Sequence, residues 1–235
     1  MTSKEIMSEL KSMGNESIKK ILLKHGVREP FFGVKVEHLK IIQKKIKKDY
    51  KLSNELYFTN NADAMYLAGL IADDEKMTRE DLQAWVKSAL SNNINSYTVP
   101  WVAAGSPHGY ELAMQWINAK EEHVAVAGWA TLGELVAIKP DDELDLKILR
   151  GLLERVVKSI HAARNRERQA MNNFIIALGT YVKDLTKEVI AAANKIGPVT
   201  VDMNGTACKV PAAVECIKKV ADKQAIGKKK KILKC

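Results

Sequence analysis

Cysteine is scarce in this 235-residue chain: Cys208, Cys216 and Cys235 make an odd count, and no CxxC pair occurs. A disulfide framework is therefore excluded, and the three read as free thiols in a reducing cytosol. Long apolar runs are missing too. None reaches transmembrane length, and the polar, amphipathic opening MTSKEIMSELKSMG reads as a helix rather than a signal peptide. No GxGxxG or other glycine-rich phosphate loop is present, which argues against a nucleotide cofactor. The five histidines (His25, His38, His108, His123, His161) show no HxxxH, HExxH or HxH spacing, so neither a metal nor a cofactor is expected. Ser106 and His108 stand too close in sequence to form a nucleophile–base pair by themselves. Acid is absent from one whole stretch: Asn92–Gly109 holds no Asp or Glu.

What is abundant is positive charge. The formal net charge is +9, and five lysines (Lys228, Lys229, Lys230, Lys231, Lys234) fall within the last ten residues. A basic body with a basic tail suits a polyanion, most simply nucleic acid; the alternative is a solubilising tail on a mildly basic protein. Hydrophobic residues at 46% and charged residues at 28% match an ordinary globular chain, long enough to bury a core without metals or disulfides. The expected state is a cytoplasmic monomer.

Apolar periodicity is helical almost throughout. The pattern predicts helices over Thr2–Met13, over Glu16–His25 with Asn15 as N-cap, and from Lys35 to about Asp49. It predicts a short helix at Ser53–Thr59, a buried one at Ala62–Asp73, and one capped by Thr78. The stretch Asn95–Asn118 follows, with Trp101, Trp116, Pro100, Pro107 and the small run Ala103-Ala104-Gly105. It reads as a helix, a tight turn and a second helix. Beyond it come Glu121–Ile138, Asp141–Ile160, Arg164–Val182, Leu185–Ile196 and Ala212–Ala221. Consecutive helices without βαβ alternation mean an all-α chain. Pairs recur about every 40 residues, near the HEAT period, which suggests an α-solenoid, with a plain bundle as the alternative.

Residues 198–211 break the rule. Val199, Val201 and Met203 alternate with polar residues, Asn204-Gly205 follows, and Thr206, Cys208 and Val210 lead away to Pro211. This pattern predicts one β-hairpin. It would be either a packing flap or a finger reaching into a nucleic-acid groove. Residues 1–225 are expected to form one domain including that hairpin, and 226–235 a disordered basic tail. Two basic clusters could face phosphate: Lys35, Lys40 and Lys44 on the third helix, and Arg164, Arg166 and Arg168 at a later helix start. For each, the plainer reading is a solvated helix surface.

Phe32-Gly33-Val34-Lys35-Val36, the stretch Asn95–Asn118, the arginine cluster and the all-helical length together resemble the AlkD-type HEAT-like-repeat DNA alkylation repair superfamily. The resemblance implies a curved α-solenoid whose concave basic face cradles duplex DNA. Catalytic members carry a Trp-Asp-x-Val-Asp pattern, whose last aspartate stabilises the charge that develops as an alkylated base departs. Here Ser96-Tyr97-Thr98-Val99-Pro100 stands in that place. The aspartate position falls on Pro100, the tryptophan position on Ser96 beside Tyr97, and a further aromatic position around Asn172-Asn173. An arginine expected near Ala127-Gly128 is absent. Pro100, Tyr97, Trp101 and Asn173 thus mark a vacated site, with Glu111 or Glu134 as the only replacement carboxylates considered. A hairpin at 198–211 is similar to the AlkF/AlkG subgroup, non-catalytic relatives associated with branched DNA.

The expectation is therefore a DNA-binding protein without glycosylase activity that takes branched, distorted or damaged duplex DNA. Its contacts would be Lys35, Lys40, Lys44, Arg164, Arg166 and Arg168, with Asn204, Thr206 and Lys209 on the hairpin. The competing expectations are an active alkylpurine glycosylase and a helical-repeat protein scaffold.

Overall fold

The computed structural model describes residues 1–234 and is helical along most of its length. Cys235, read above as a free thiol, lies outside the described residues; neither Cys208 nor Cys216 is in a disulfide. The helices are α1 (Ser3–Ser12), α2 (Glu16–Lys24), α3 (Val36–Ile46), α4 (Tyr50–Tyr57), α5 (Ala62–Ile71), α6 (Arg79–Ser88), α7 (Val99–Gly105), α8 (Gly109–Trp116), α9 (Glu122–Ile138), α10 (Leu146–Ser159), α11 (Asn165–Tyr181), α12 (Thr186–Ile196) and α13 (Ala213–Asp222). Among the described residues no helix is long and apolar enough to cross a membrane.

Local chemistry accounts for most helix ends. The Thr2 and Thr78 hydroxyls each accept an N–H from the third helical residue, and Glu5 and Asp81 answer with the reciprocal bond. Asn15 and Asn61 cap α2 and α5 through their side-chain oxygens. Gly26 ends the second helical stretch at φ 83°.

The described residues fall into two compact units. The first comprises residues 1–112 with Asn204–Thr206 and Lys234; the second comprises 113–203 with 207–233. In the first unit α5 is the centre: α1, α3 and α4 pack on it, as does a π-helical turn at Ile94–Thr98. Its side chains are buried nearly all round, Leu67, Leu70 and Ile71 at 0–2% exposure. Each such side chain contributes about 1.5–3 kcal/mol through burial. In the second unit α9 and α11 form the central pair, with Trp129 tilted against Phe174 at 5.4 Å.

Two expectations fail here. The first is the β-hairpin, since no strand occurs among the described residues. The turn itself is present, with Asn204 and Gly205 at φ 55° and 69°, but no strand forms on either side of it among the described residues. Their backbone turns instead to side chains of α11. Asn165 donates to the Asp202 carbonyl (2.9 Å) and accepts the Asp202 N–H (2.7 Å), and Asn172 donates to the Pro211 carbonyl (3.0 Å). Pro198 and Pro211 offer no N–H to a ladder, and a lone hairpin is marginal in water.

The second is the disordered tail. In the second unit Gly227 donates to the Thr180 carbonyl and the Lys230 N–H to the Ala137 carbonyl. The Lys229 ammonium reaches the Val136 carbonyl (2.9 Å) and Asp141 (2.7 Å), while Lys230 pairs with Glu134 at 2.8 Å. The Val136 and Ala137 carbonyls belong to the last turn of α9 and the Thr180 carbonyl to that of α11, positions that a helix leaves without internal donors and where a cation is favoured. In the first unit Lys234 does the same for α5: it donates to the Ala72 carbonyl (2.8 Å) and pairs with Asp74 (2.6 Å). Burial pushes the Asp74 carboxyl up and the Lys234 ammonium down, against their mutual attraction. Three of the five tail lysines are thus held by the protein's own acids.

Candidate nucleic-acid interface

The stretch expected to hold a vacated site is built around a proline. Pro100 has no N–H for the preceding turn, and its ring disfavours a regular α-turn there. The backbone widens just before it, and the Val99 N–H reaches back five residues to the Ile94 carbonyl. Such π-turns are uncommon and concentrate at functional sites. Gly69 lets this turn sit close on α5, since a Cβ there would meet Thr98 Cγ2 at 2.4 Å. Pro100 is buried, whereas Tyr97 is 51% exposed. Beneath Tyr97 lies Trp101, tilted at 5.9 Å, and Tyr66 of α5 meets Trp101 edge-on at 5.6 Å. Tyr97 and Trp101 are therefore brought together, while Asn173 is an exposed residue of α11 in the second unit.

No replacement carboxylate stands free. Glu111 pairs with Arg79 at 2.7 Å and Glu134 with Lys230. At Gly128, the neighbourhood of the expected arginine, a Cβ would come within 2.7 Å of the Ile117 nitrogen, so a side chain has no room.

The Phe32-Gly33-Val34 motif has a structural role. The buried Asp63 carboxylate accepts all three of its amides, at 2.6, 3.0 and 3.2 Å. Burial pushes the Asp63 carboxyl up, and the three amides oppose that shift. Gly33 sits at φ 80° with a Cβ position 2.6 Å from the Asn15 carbonyl, which only glycine tolerates. The loop so fixed delivers Lys35 to the start of α3. Lys35 is exposed and 3.4 Å from Glu37. Lys40 and Lys44 lie four residues apart on one face of α3, half-buried and exposed respectively, with no carboxylate partner among the described residues. Lys45 pairs with Glu9.

The arginine cluster behaves differently. Arg164, expected at phosphate, is held inside the second unit. Its guanidinium contacts Glu167 (2.8 Å), the Ala119 carbonyl (3.1 Å) and the Lys120 carbonyl, and Glu167 is buried. Arg166 is half-buried and bonds Gln169 (3.1 Å) and Met203 Sδ (3.3 Å). Arg168 is half-buried and its buried Nε has no partner. At the 198–211 segment Asn204 and Lys209 are exposed and Thr206 is half-buried, on a loop rather than a hairpin. No group of three or more His, Cys, Asp or Glu suited to a metal occurs among the described residues. Sequence reasoning missed the π-turn and the roles of Tyr66 and Asp63; Pro100 inside a helical pattern was the one available signal for the first.

Comparison with known proteins gives three findings. Residues 6–210 match the family model described as DNA alkylation repair enzyme. The proteins Lin0241 of Listeria innocua and Lmo0209 of Listeria monocytogenes are each 30% identical over 229 residues, covering 95% of this chain and 99% of theirs. A solved structure, 33% identical, superposes with a TM-score of 0.92 over the full length of both chains. It is described as representing a new family of proteins related to the HEAT-like repeat DNA glycosylases with affinity for branched DNA structures.

Proposed function

This chain belongs to the DNA alkylation repair enzyme family, and we propose that it is a DNA-binding member without glycosylase activity, allied to the AlkF/AlkG subgroup and selective for branched or distorted DNA. The observation that carries this reading is the likeness, over the whole chain, to a protein described by its affinity for branched DNA. The site's chemistry supports it. Pro100 offers no charge where the family's catalysts place a carboxylate, and Glu111 and Glu134 are engaged elsewhere. One such electrostatic group is worth about 3–4 kcal/mol of barrier, so its loss disfavours base excision. Phosphate contacts fall to Lys35, Lys40 and Lys44 on α3, with Arg166 and Arg168 on α11. Asn204, Thr206 and Lys209 add contacts from the 198–211 loop. Arg164 serves to position the start of α11. The setting that fits is the cytoplasm, with DNA as partner and no metal.

Binding to linear duplex and four-way-junction DNA, measured by fluorescence anisotropy across a salt series, tests the proposal. The expected result is tighter binding to the junction and a steep fall of affinity with salt. Absence of binding at low salt, or a flat salt response, overturns it. Incubation with alkylated DNA should release no base; multiple-turnover release would instead establish the glycosylase reading.

A further inference from the structure

The π-turn presents one side chain that phosphate binding does not use. Tyr97 is 51% exposed although Ile94, Thr98 and Val99 around it are fully buried. Its ring is supported from below. Trp101, 5% exposed, lies beneath it at 5.9 Å, and Tyr66 holds Trp101 edge-on. The three rings form a cluster, tilted and edge-on, anchored in the core of the first unit and ending at the surface in Tyr97.

Two further observations identify what fits there. No Asp or Glu occurs between Asp81 and Glu111, and Glu111 is already paired with Arg79, so this stretch itself sets no unpaired carboxylate against a polyanion. Both the π-turn and α3, with its unpartnered Lys40 and Lys44, pack against α5. A supported aromatic face alongside cations is the combination that binds unpaired nucleotides: the cations hold phosphate and the ring stacks a base.

We infer that Tyr97 is a stacking platform for an unpaired base of the bound DNA. The inference rests on the DNA-binding reading above and deepens it. Stacking is indifferent to base identity because every base has a π-face. Tyr97 would therefore select for a base freed from the duplex and not for sequence.

The test uses the full chain at one low salt concentration, as wild type, Tyr97→Ala and Tyr97→Phe. Three DNAs are titrated: a linear duplex, a fully paired four-way junction, and that junction with one unpaired 2-aminopurine at the crossover. Tyr97→Ala should lose about tenfold in affinity for the third DNA and little for the linear duplex, while Tyr97→Phe keeps wild-type affinity. Quenching of 2-aminopurine emission on binding should be seen with wild type and Tyr97→Phe and be absent with Tyr97→Ala. Equal affinity of wild type and Tyr97→Ala for the third DNA overturns the inference and leaves the DNA-binding reading standing. An equal loss on the linear duplex also overturns it. Failure of wild type to bind any of the three overturns both.

Discussion

Lys40 and Lys44 of α3 and Arg164 before α11 look alike in the sequence as members of basic clusters, yet the fold treats them in opposite ways. Lys40 and Lys44 meet no acid among the described residues. Arg164 is engaged on three sides by Glu167 and the carbonyls of Ala119 and Lys120. Other arginines follow Arg164. Arg79 holds Glu111, Arg150 grips Glu188 with two nitrogens at 2.9 Å, and Arg155 donates to Ile117 and Asn118 while lying over Trp129. The difference lies in the head groups. A planar guanidinium offers five donors in a fixed fork and is weakly hydrated, so a folded chain readily makes it a joint. An ammonium on a flexible stem is strongly hydrated and stays available at the surface where, as at Lys40 and Lys44, no acid stands beside it. A count of basic residues therefore overstates the charge open to DNA, and the tail lysines, bound by Asp74, Glu134 and Asp141, reinforce the point.

The largest effect expected from breaking this contrast is at Arg164. Arg164→Ala leaves the buried Glu167 without its cation and two carbonyls without a donor. It should destabilise the protein by about 3 kcal/mol, read by urea denaturation. Arg164→Lys should not restore the loss, because one ammonium cannot reproduce the fork. Restoration by lysine would mean that charge alone matters there.

Next in size is the converse experiment. Lys40→Ala with Lys44→Ala should leave the denaturation midpoint nearly unchanged, within about 0.5 kcal/mol. The same change should lower DNA affinity about tenfold at low salt and flatten the log–log salt slope by about 2. An unchanged slope would remove α3 from the interface.

The smallest effect is at Arg150. Its hydrogen bonds hold the Glu188 carboxyl below the usual carboxylate range, so folding favours the ionised form. That stabilisation is present above the ordinary carboxylate pKa and is lost as pH falls through the depressed folded value. Arg150→Ala should therefore be slightly less stable than wild type at pH 7, and the two should converge in acid. A gap that persists at low pH would show that packing, not charge, links the pair.

The places where sequence reading failed share one physical feature. Helix positions and caps were legible because they depend on neighbours three or four residues away. Thr2 with Glu5 and Thr78 with Asp81 are cases where the pair stands side by side in the chain. The turn at Asn204-Gly205 was legible for the same reason, since positive φ is a property of those two residues. Its failure to carry a hairpin was not, because Asn165 and Asn172, which take the backbone groups that a second strand would have taken, come from another part of the chain. The lack of acid across Asn92–Gly109 was also legible, because it and Pro100 are facts of the sequence. The π-turn that Pro100 accompanies, and the ring cluster beneath Tyr97, were not.

By itself, then, the sequence determined that this protein is predominantly helical, where most of its helices begin and end, and that Asn92–Gly109 carries no acid. Those are matters of composition and of local backbone energetics. The tertiary structure alone decided which charges remain free, how the tail caps two buried helices, and which aromatic reaches solvent. Each depends on desolvation and on partners distant in the chain, and these exist only once the helices have packed.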